Sequence, residues 1–242
     1  RYADEPVPLG TAGSVGNARA FLDETFLVIS GDVLTDIDLA KVLAFHREKG
    51  AVATIGLTPV ENPLEFGIVI TREDGSIERF LEKPTWGQVF SDTINTGIYV
   101  LEPEIFDYIP EGRSVDFSSE VFPAILAAGK PMYGAIVEGY WEDVGTLEAY
   151  LSAHQDVLDQ KVMVDVPGFR VNDGVWLGEG AEISPEATVV GPCVIGPGCK
   201  VEAGCHLGEY TVLGSNVRLL SEAHLERSVL HDNVYVGTRS RM

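Results

Sequence analysis

From residue 171 onward the chain keeps a period of six. Aliphatic side chains fall at Val171, Leu177, Ile183, Val189, Ile195, Val201, Leu207, Leu213, Leu219 and Leu225. Four residues after each comes a small or β-branched one, at Val175, Ala181, Ala187, Cys193, Cys199, Cys205, Thr211, Val217, Ala223 and Val229. A helix repeats every 3.6 residues or so and a strand every two, and neither sustains this spacing. A solenoid of hexapeptides does, because each hexapeptide forms one side of a triangular coil. The aliphatic residue then points inside and the small residue sits beside it near the corner. With roughly 18 residues per coil, 171–225 supplies about three coils. One residue drops out near Leu230, and Val236-Gly237 resumes the pattern. The segment 166–242 is therefore expected to be a left-handed parallel β-helix, incomplete at its end.

The repeat also accounts for the three cysteines. Cys193, Cys199 and Cys205 lie six apart, a spacing that suggests metal or disulfide chemistry at first sight. All three occupy the small-residue slot on successive sides of a coil, so packing explains them without chemistry.

Residues 1–165 follow a different rule, alternating strand-like and helix-like stretches. Phe26-Leu27-Val28-Ile29-Ser30 is a short apolar run ending at Gly31-Asp32, as a buried parallel strand would. A helix is predicted from about Asp38 to Lys49, with Asp38 as N-cap, Gly50 as stop and Leu39, Val42, Leu43 and Phe45 as its apolar face. Ala51–Leu57 is the next strand. Residues 67–82 form a hairpin around Asp74-Gly75, and Ile94–Leu101 is a further strand. Helices follow at 103–109 and 118–129, then a strand at 132–137 and a helix at 146–158. Such alternation predicts an α/β sandwich, a Rossmann-like domain with a mixed, mostly parallel sheet.

Seventeen Lys and Arg against 37 Asp and Glu give a formal charge of −20. Residues 1–165 hold 11 of the former against 28 of the latter, a balance of −17. That field repels a polyanion and argues against nucleic-acid binding. A phosphorylated small molecule meets the same repulsion unless a divalent cation or a placed Lys or Arg intervenes. No apolar run approaches the roughly 18 residues a membrane span needs, and a cytoplasmic setting is the expectation.

Five segments stand out in the first domain. Glu5-Pro6-Val7-Pro8-Leu9-Gly10-Thr11-Ala12-Gly13 reads as a loop feeding a helix N-terminus, its glycines letting backbone approach a flat ligand. Gly31-Asp32 stands at a strand's C-terminal end, where Asp32 either caps the following turn or faces a ligand. Glu65-Phe66-Gly67 and Glu82-Lys83-Pro84 flank the hairpin. Asn95-Thr96-Gly97-Ile98-Tyr99 begins an apolar strand with an amide. Trp141-Glu142-Asp143-Val144-Gly145-Thr146 precedes a helix that Thr146 can cap.

In this order and at this spacing the five resemble the sugar-1-phosphate nucleotidyltransferases, and within them the mannose-1-phosphate guanylyltransferases that carry a C-terminal β-helix. The resemblance implies that Leu9, Gly10 and Thr11 lie against the nucleotide base. It makes Asp32 and Asp143 the ligands of one Mg²⁺, gives Gly67, Glu82 and Asn95 the sugar, and pairs Lys83 with the sugar phosphate. The division is chemically sound, since carboxylate and amide suit hydroxyls and a point cation suits phosphate. The implied reaction joins a nucleoside triphosphate and a sugar 1-phosphate, releasing pyrophosphate, with Asp32, Lys83 and Asp143 as its catalytic groups.

The family opens with a Gly-rich strand-to-helix loop bearing an Arg and a following Pro-Lys-Pro-like segment, which hold the triphosphate. This sequence starts after them, so a fragment inactive alone, with apolar sheet exposed, is the expectation. Base and hexose are poorly marked, leaving GTP with mannose 1-phosphate as the first reading and a glucose-1-phosphate nucleotidyltransferase as its rival. A non-catalytic paralogue that binds nucleotide sugars is a further alternative, although both expected metal aspartates are present. An acyltransferase built on the β-helix would need a catalytic His, and His206 has no evident companion in the sequence. His46, His154, His206, His224 and His231 are read as scattered surface residues, and the β-helix as the element through which copies assemble.

Overall fold

The computed structural model describes residues 1–60, 67–82, 93–171 and 174–242. The chain divides into two compact units, Arg1–Val33 with Ile37–Trp141, and Leu34–Asp36 with Glu142–Met242.

The first unit opens with α1 (Gly10–Asn17) and β1 (Phe26–Ile29), and β2 (Val33–Thr35) follows at its border with the second. Next comes α2 (Leu39–Lys49), which starts and stops where its sequence says it should. The Asp38 side chain accepts hydrogen bonds from Ala40 N and Lys41 N, and Gly50 takes the left-handed conformation (φ 58°) that ends the helix. Then come β3 (Ala53–Pro59), the hairpin of β4 (Gly67–Thr71) and β5 (Ile77–Glu82), and the long β6 (Thr93–Leu101). A 3₁₀ segment at Pro103–Tyr108, a π turn at Phe117–Val121 and α3 (Phe122–Ala127) lead to β7 (Met132–Ile136).

The sheet runs β5-β4-β6-β3-β7, with β1 also on β6. It is mixed. β3 and β7 pair in parallel, whereas β6 is antiparallel to β1, β3 and β4, and β4 to β5. The parallel ladders expected of the chain lie chiefly in the solenoid described below.

Each sheet face is covered. Ala53, Ile55, Leu57, Tyr99 and Leu101 pack on Ile105, Phe117, Phe122 and Ile125, while Ile98, Val100 and Ala135 face Val42 of α2. The reading of β1 as a buried parallel strand is corrected. It is antiparallel, and Leu27 and Ile29 are about 40% exposed because alternate residues of β1 face away from the core.

His46 overturns the surface reading outright. It lies one turn after Val42 on the inner face of α2 and is 1% exposed. Its Nδ1 is 2.8 Å from Thr54 Oγ1 and its Nε2 is 3.1 Å from Glu102 Oε1. Burial works to raise the Glu102 carboxyl, but the hydroxyl of Thr25 (2.6 Å) and the His46 ring outweigh it and hold Glu102 below the ordinary value.

The second unit contains β8 (Trp141–Asp143) from Glu142 onward, paired with β2 in a two-stranded sheet. Its α4 (Leu147–Leu158) is capped by Thr146, whose hydroxyl accepts from Ala149 N. After β9 (Phe169–Arg170) comes the solenoid. Its first face stacks β10 (Val175–Leu177), β13 (Cys193–Ile195), β16 (Val212–Leu213) and β19 (Val229–Leu230). The second stacks β11 (Glu182–Ile183), β14 (Lys200–Val201), β17 (Arg218–Leu219) and β20 (Tyr235–Val236), and the third β12 (Thr188–Val189), β15 (His206–Leu207) and β18 (His224–Leu225). All pairings between these coils are parallel.

Both hexapeptide positions face inward as expected. Ile195, Leu207, Leu219 and Leu225 are wholly buried, as are the small residues Cys193, Cys199, Thr211, Val217 and Ala223. Val171 departs from the pattern at 45% exposure, because its N–H donates to Val175 O ahead of the first coil. The corner position is left-handed, by glycine at Gly180, Gly198 and Gly204 and then by Tyr210, Asn216, Glu222, Arg227, Asn233 and Arg239. The step from Glu222 to Arg227 is five rather than six, which locates the dropped residue, and Leu213 accordingly pairs with Leu230. The cysteines are free and buried.

The outward residues of the first face, Trp176, Val194 and Val212, are apolar, and so is Val229, which the dropped residue moves from the small inward slot expected for it to the outward register opposite Val212. Against Val194 and Val212 lie Val157 and Leu158 of α4 with Val164 and Val166, around a cavity of about 300 Å³. No helix among the described residues is long and apolar enough to cross a membrane.

Candidate active site

The loop before α1 is fixed by the segment 114–119. Leu9 O accepts from Val115 N at 2.8 Å, while Val115 O accepts from both Ala12 N and Gly13 N at 3.0 and 3.1 Å. Two of the helix's first-turn amides are thus already bonded, and Leu9 N donates to Glu5 Oε2 at 3.1 Å. Gly10 sits at φ +73°, and a Cβ there would stand 2.7 Å from Val115 O. No other residue type fits that approach without displacing backbone.

Thr11 is anchored next to this contact. Its hydroxyl donates to Asp116 Oδ2 at 2.8 Å and accepts from Phe117 N at 2.9 Å. Asp116 also caps the π turn, accepting from Ser119 N and Ser119 Oγ. Burial pushes the Asp116 carboxyl up, but the N–H of Ser119, the Thr11 and Ser119 hydroxyls and the N–H of Ser118 together hold it below the usual aspartate range.

The same π turn reaches Asn95. Asn95 Nδ2 donates to Tyr99 Oη (2.9 Å) and Ser118 Oγ (3.2 Å), and its Oδ1 accepts from Gly97 N. The β3–β6 register shifts here, with Ile55 opposite Tyr99 but Leu57 opposite Asn95. The extra residues of β6 form a bulge, which re-aims the strand. Gly97 takes φ +74°, Thr96 Oγ1 donates to Gly56 O, and Trp141 Nε1 donates to Thr96 O. The structure therefore ties Thr11 and Asn95, which the sequence reading expects at the nucleotide and the sugar respectively, to one short segment, Asp116–Ser118. Asp116 and Ser118 were missed in the sequence, and Tyr99 was named there only as the end of the segment 95–99. The cap signal Asp116 followed by Ser118-Ser119 was the one local clue.

Asp32 lies in the turn after β1, held by Ser30 N donating to Gly97 O and Val33 N to Ser30 O. Among the described residues its carboxylate has no hydrogen-bond partner, which sets aside the capping alternative, and open space lies beside Gly31. Asp143 closes β8 in the second unit, and a Cβ at Gly145 would meet its Oδ1 at 3.4 Å, an ordinary contact. Burial, with Asp156 and Asp143 nearby, raises the Glu142 carboxyl. Carboxylate oxygens in a field of other carboxylates are a donor set that suits a hard divalent cation. Among the described residues no group of three or more His, Cys, Asp or Glu is arranged to hold a metal.

Gly67 and Glu82 pair across the hairpin, at the start of β4 and the end of β5. Lys83, Glu65 and Phe66 lie outside the described residues.

Residues 1–160 match the family model for nucleotidyl transferases, and 174–209 the model for bacterial transferase hexapeptides. Over 241 residues the chain is 34% identical to a UTP–glucose-1-phosphate uridylyltransferase of Synechocystis, covering 97% of this chain and 62% of that protein. It is 38% identical over 233 residues to the mannose-1-phosphate guanylyltransferase of Mycobacterium tuberculosis, covering 93% and 62%. It is also 35% identical over 251 residues to mannose-1-phosphate guanylyltransferase 1 of Arabidopsis thaliana, covering 99% and 68%. The chain thus spans less than two thirds of the length of the first two relatives.

Proposed function

Because the chain belongs to the nucleotidyl transferase family, we propose that its protein makes a nucleotide sugar from a nucleoside triphosphate and a sugar 1-phosphate, with GTP and mannose 1-phosphate as the preferred pair. A phosphate oxygen of the sugar 1-phosphate attacks the α-phosphorus in line. The bond from that phosphorus to the bridging oxygen breaks, and pyrophosphate leaves with the electron pair. No covalent step falls to the protein, so catalysis is alignment and charge neutralisation.

In this reading Leu9, Gly10 and Thr11 hold the base, while Gly67, Glu82 and Asn95 orient the hexose. Lys83 neutralises the sugar phosphate, and Asp32 and Asp143 would hold Mg²⁺. When bound, that ion would offset the charge that builds on the α-phosphate and the departing pyrophosphate. The observation that carries the proposal is the bonding of Thr11 and Asn95 to the one segment 116–118, as a two-substrate reaction needs its base and sugar subsites held in fixed relation. The cytoplasm, where both substrates are at hand, and a homo-oligomer built through the β-helix belong to the same reading.

The test is pyrophosphate release by the intact protein across GTP, UTP, ATP and dTTP, each with mannose and glucose 1-phosphates. Turnover greatest with GTP and mannose 1-phosphate supports the first reading. The Synechocystis relative favours a second, in which UTP and glucose 1-phosphate win. Tight binding of nucleotide sugar with no turnover on any pair would sink both.

A further inference from the structure

We propose that His206 and His224 form a two-imidazole site for a divalent late first-row transition ion, bridging adjacent coils of the solenoid. β15 and β18 are in parallel register, with His206 opposite His224 and the wholly buried Leu207 opposite Leu225. Strand alternation sends both imidazoles outward. Their ring centroids are 4.4 Å apart and their planes 15° from parallel.

Stacking is the one interaction the two side chains make among the described residues. Among the described residues neither ring nitrogen of either has a hydrogen bond or ion pair. Of the other three histidines, His231 is tilted against Tyr150 and the remaining two are hydrogen-bonded. Both nitrogens of His46 are engaged, and His154 Nδ1 sits 2.8 Å from Tyr150 O. A partly exposed pair of imidazoles whose ring nitrogens are not hydrogen-bonded among the described residues is the donor set that copper(II), nickel(II) and zinc(II) prefer.

The geometry also sets the character of the site. Metal–nitrogen bonds run to about 2.0–2.1 Å, so stacked rings 4.4 Å apart must tilt toward each other at their outer edges. Partly exposed side chains can make that rotation. The ladder continues to Thr188 on one side and Arg241 on the other, and neither adds a strong ligand. Two nitrogens and water complete the coordination, so the ion exchanges readily, and the charge of Arg241 moderates its affinity. Because the ligands belong to different coils, they come together only when the solenoid is folded. Binding should therefore raise its melting temperature by mass action.

The experiment titrates the tag-free intact protein with nickel(II), then copper(II) and zinc(II), at about pH 7.5, above the ordinary imidazole value of about 6.5. Calorimetry and thermal melting are read together. The expected result is one site saturating below about 1 mM, tightest for copper, with a rise in melting temperature. His206→Asn and His224→Asn should each weaken it about tenfold or more and remove the rise, with far-UV circular dichroism unchanged. Paramagnetic broadening by copper(II) gives a second readout that needs no variant, and should strike these two imidazoles first. Failure to saturate, binding unaltered in both variants, or broadening confined to other histidines would overturn the proposal.

Discussion

Replacing Thr11 with valine keeps the shape of the side chain and deletes its hydroxyl, which makes it a clean probe of the segment beneath the proposed nucleotide loop. Two bonds vanish, the donation to Asp116 Oδ2 and the acceptance from Phe117 N. A hydrogen bond to a charged group contributes about 1.5–3 kcal/mol, and an unpaired buried donor costs about 1–3 kcal/mol. Phe117 is 1% exposed, but Thr11 itself is exposed, so water recovers part of the loss. A net destabilisation of about 1–3 kcal/mol is expected.

The pH dependence discriminates further. Asp116 has a folded pKa below its unfolded value, so the stability it contributes is complete above about pH 3.9 and is lost as pH falls through the folded pKa. Thr11→Val removes one of the donors responsible and moves the folded value back toward the unfolded one. The gap between the native protein and the variant should thus be widest near neutrality and narrow below about pH 4. Urea unfolding of both proteins at neutral and acid pH measures it. A gap below about 0.5 kcal/mol, or one of equal size at both pH values, refutes the reasoning.

Leu207→Ala, at a wholly buried site of the solenoid, should cost about 2–5 kcal/mol by calorimetry. Lys200→Ala, which breaks an exposed pair with Glu182, should cost about 1 kcal/mol or less by the same measurement. Gly10→Ala places a Cβ 2.7 Å from Val115 O at positive φ, so stability should fall by about 1–2 kcal/mol or more and the KM for the triphosphate should rise. Asp32→Asn and Asp143→Asn should each lower kcat for pyrophosphate release by about 100-fold or more. Asp32→Asn should leave the melting temperature unchanged, since its carboxylate has no hydrogen-bond partner among the described residues.

What could be read from the chain depended on how local its cause is. The solenoid was legible almost residue by residue, because each hexapeptide repeats the same inward choice, and even the dropped residue shows as a five-residue step at Arg227. The ends of α2 were legible for a similar reason, since Asp38 and Gly50 act within one turn. Strand direction was less so. A short apolar run such as 26–29 states burial and not the sense of its neighbour, and β6 proved antiparallel to it. The links from Thr11 to Asp116 and from Asn95 to Ser118 span 105 and 23 positions, so only folding could show that one π turn serves both loops. His46 shows the limit most plainly. A histidine can be buried only where both ring nitrogens find partners, and its partners, Thr54 and Glu102, stand 8 and 56 positions away. The apolar face of α2 pointed to the turn that would be buried, but acceptance of an imidazole there was decided by a threonine on β3 and a glutamate beyond β6.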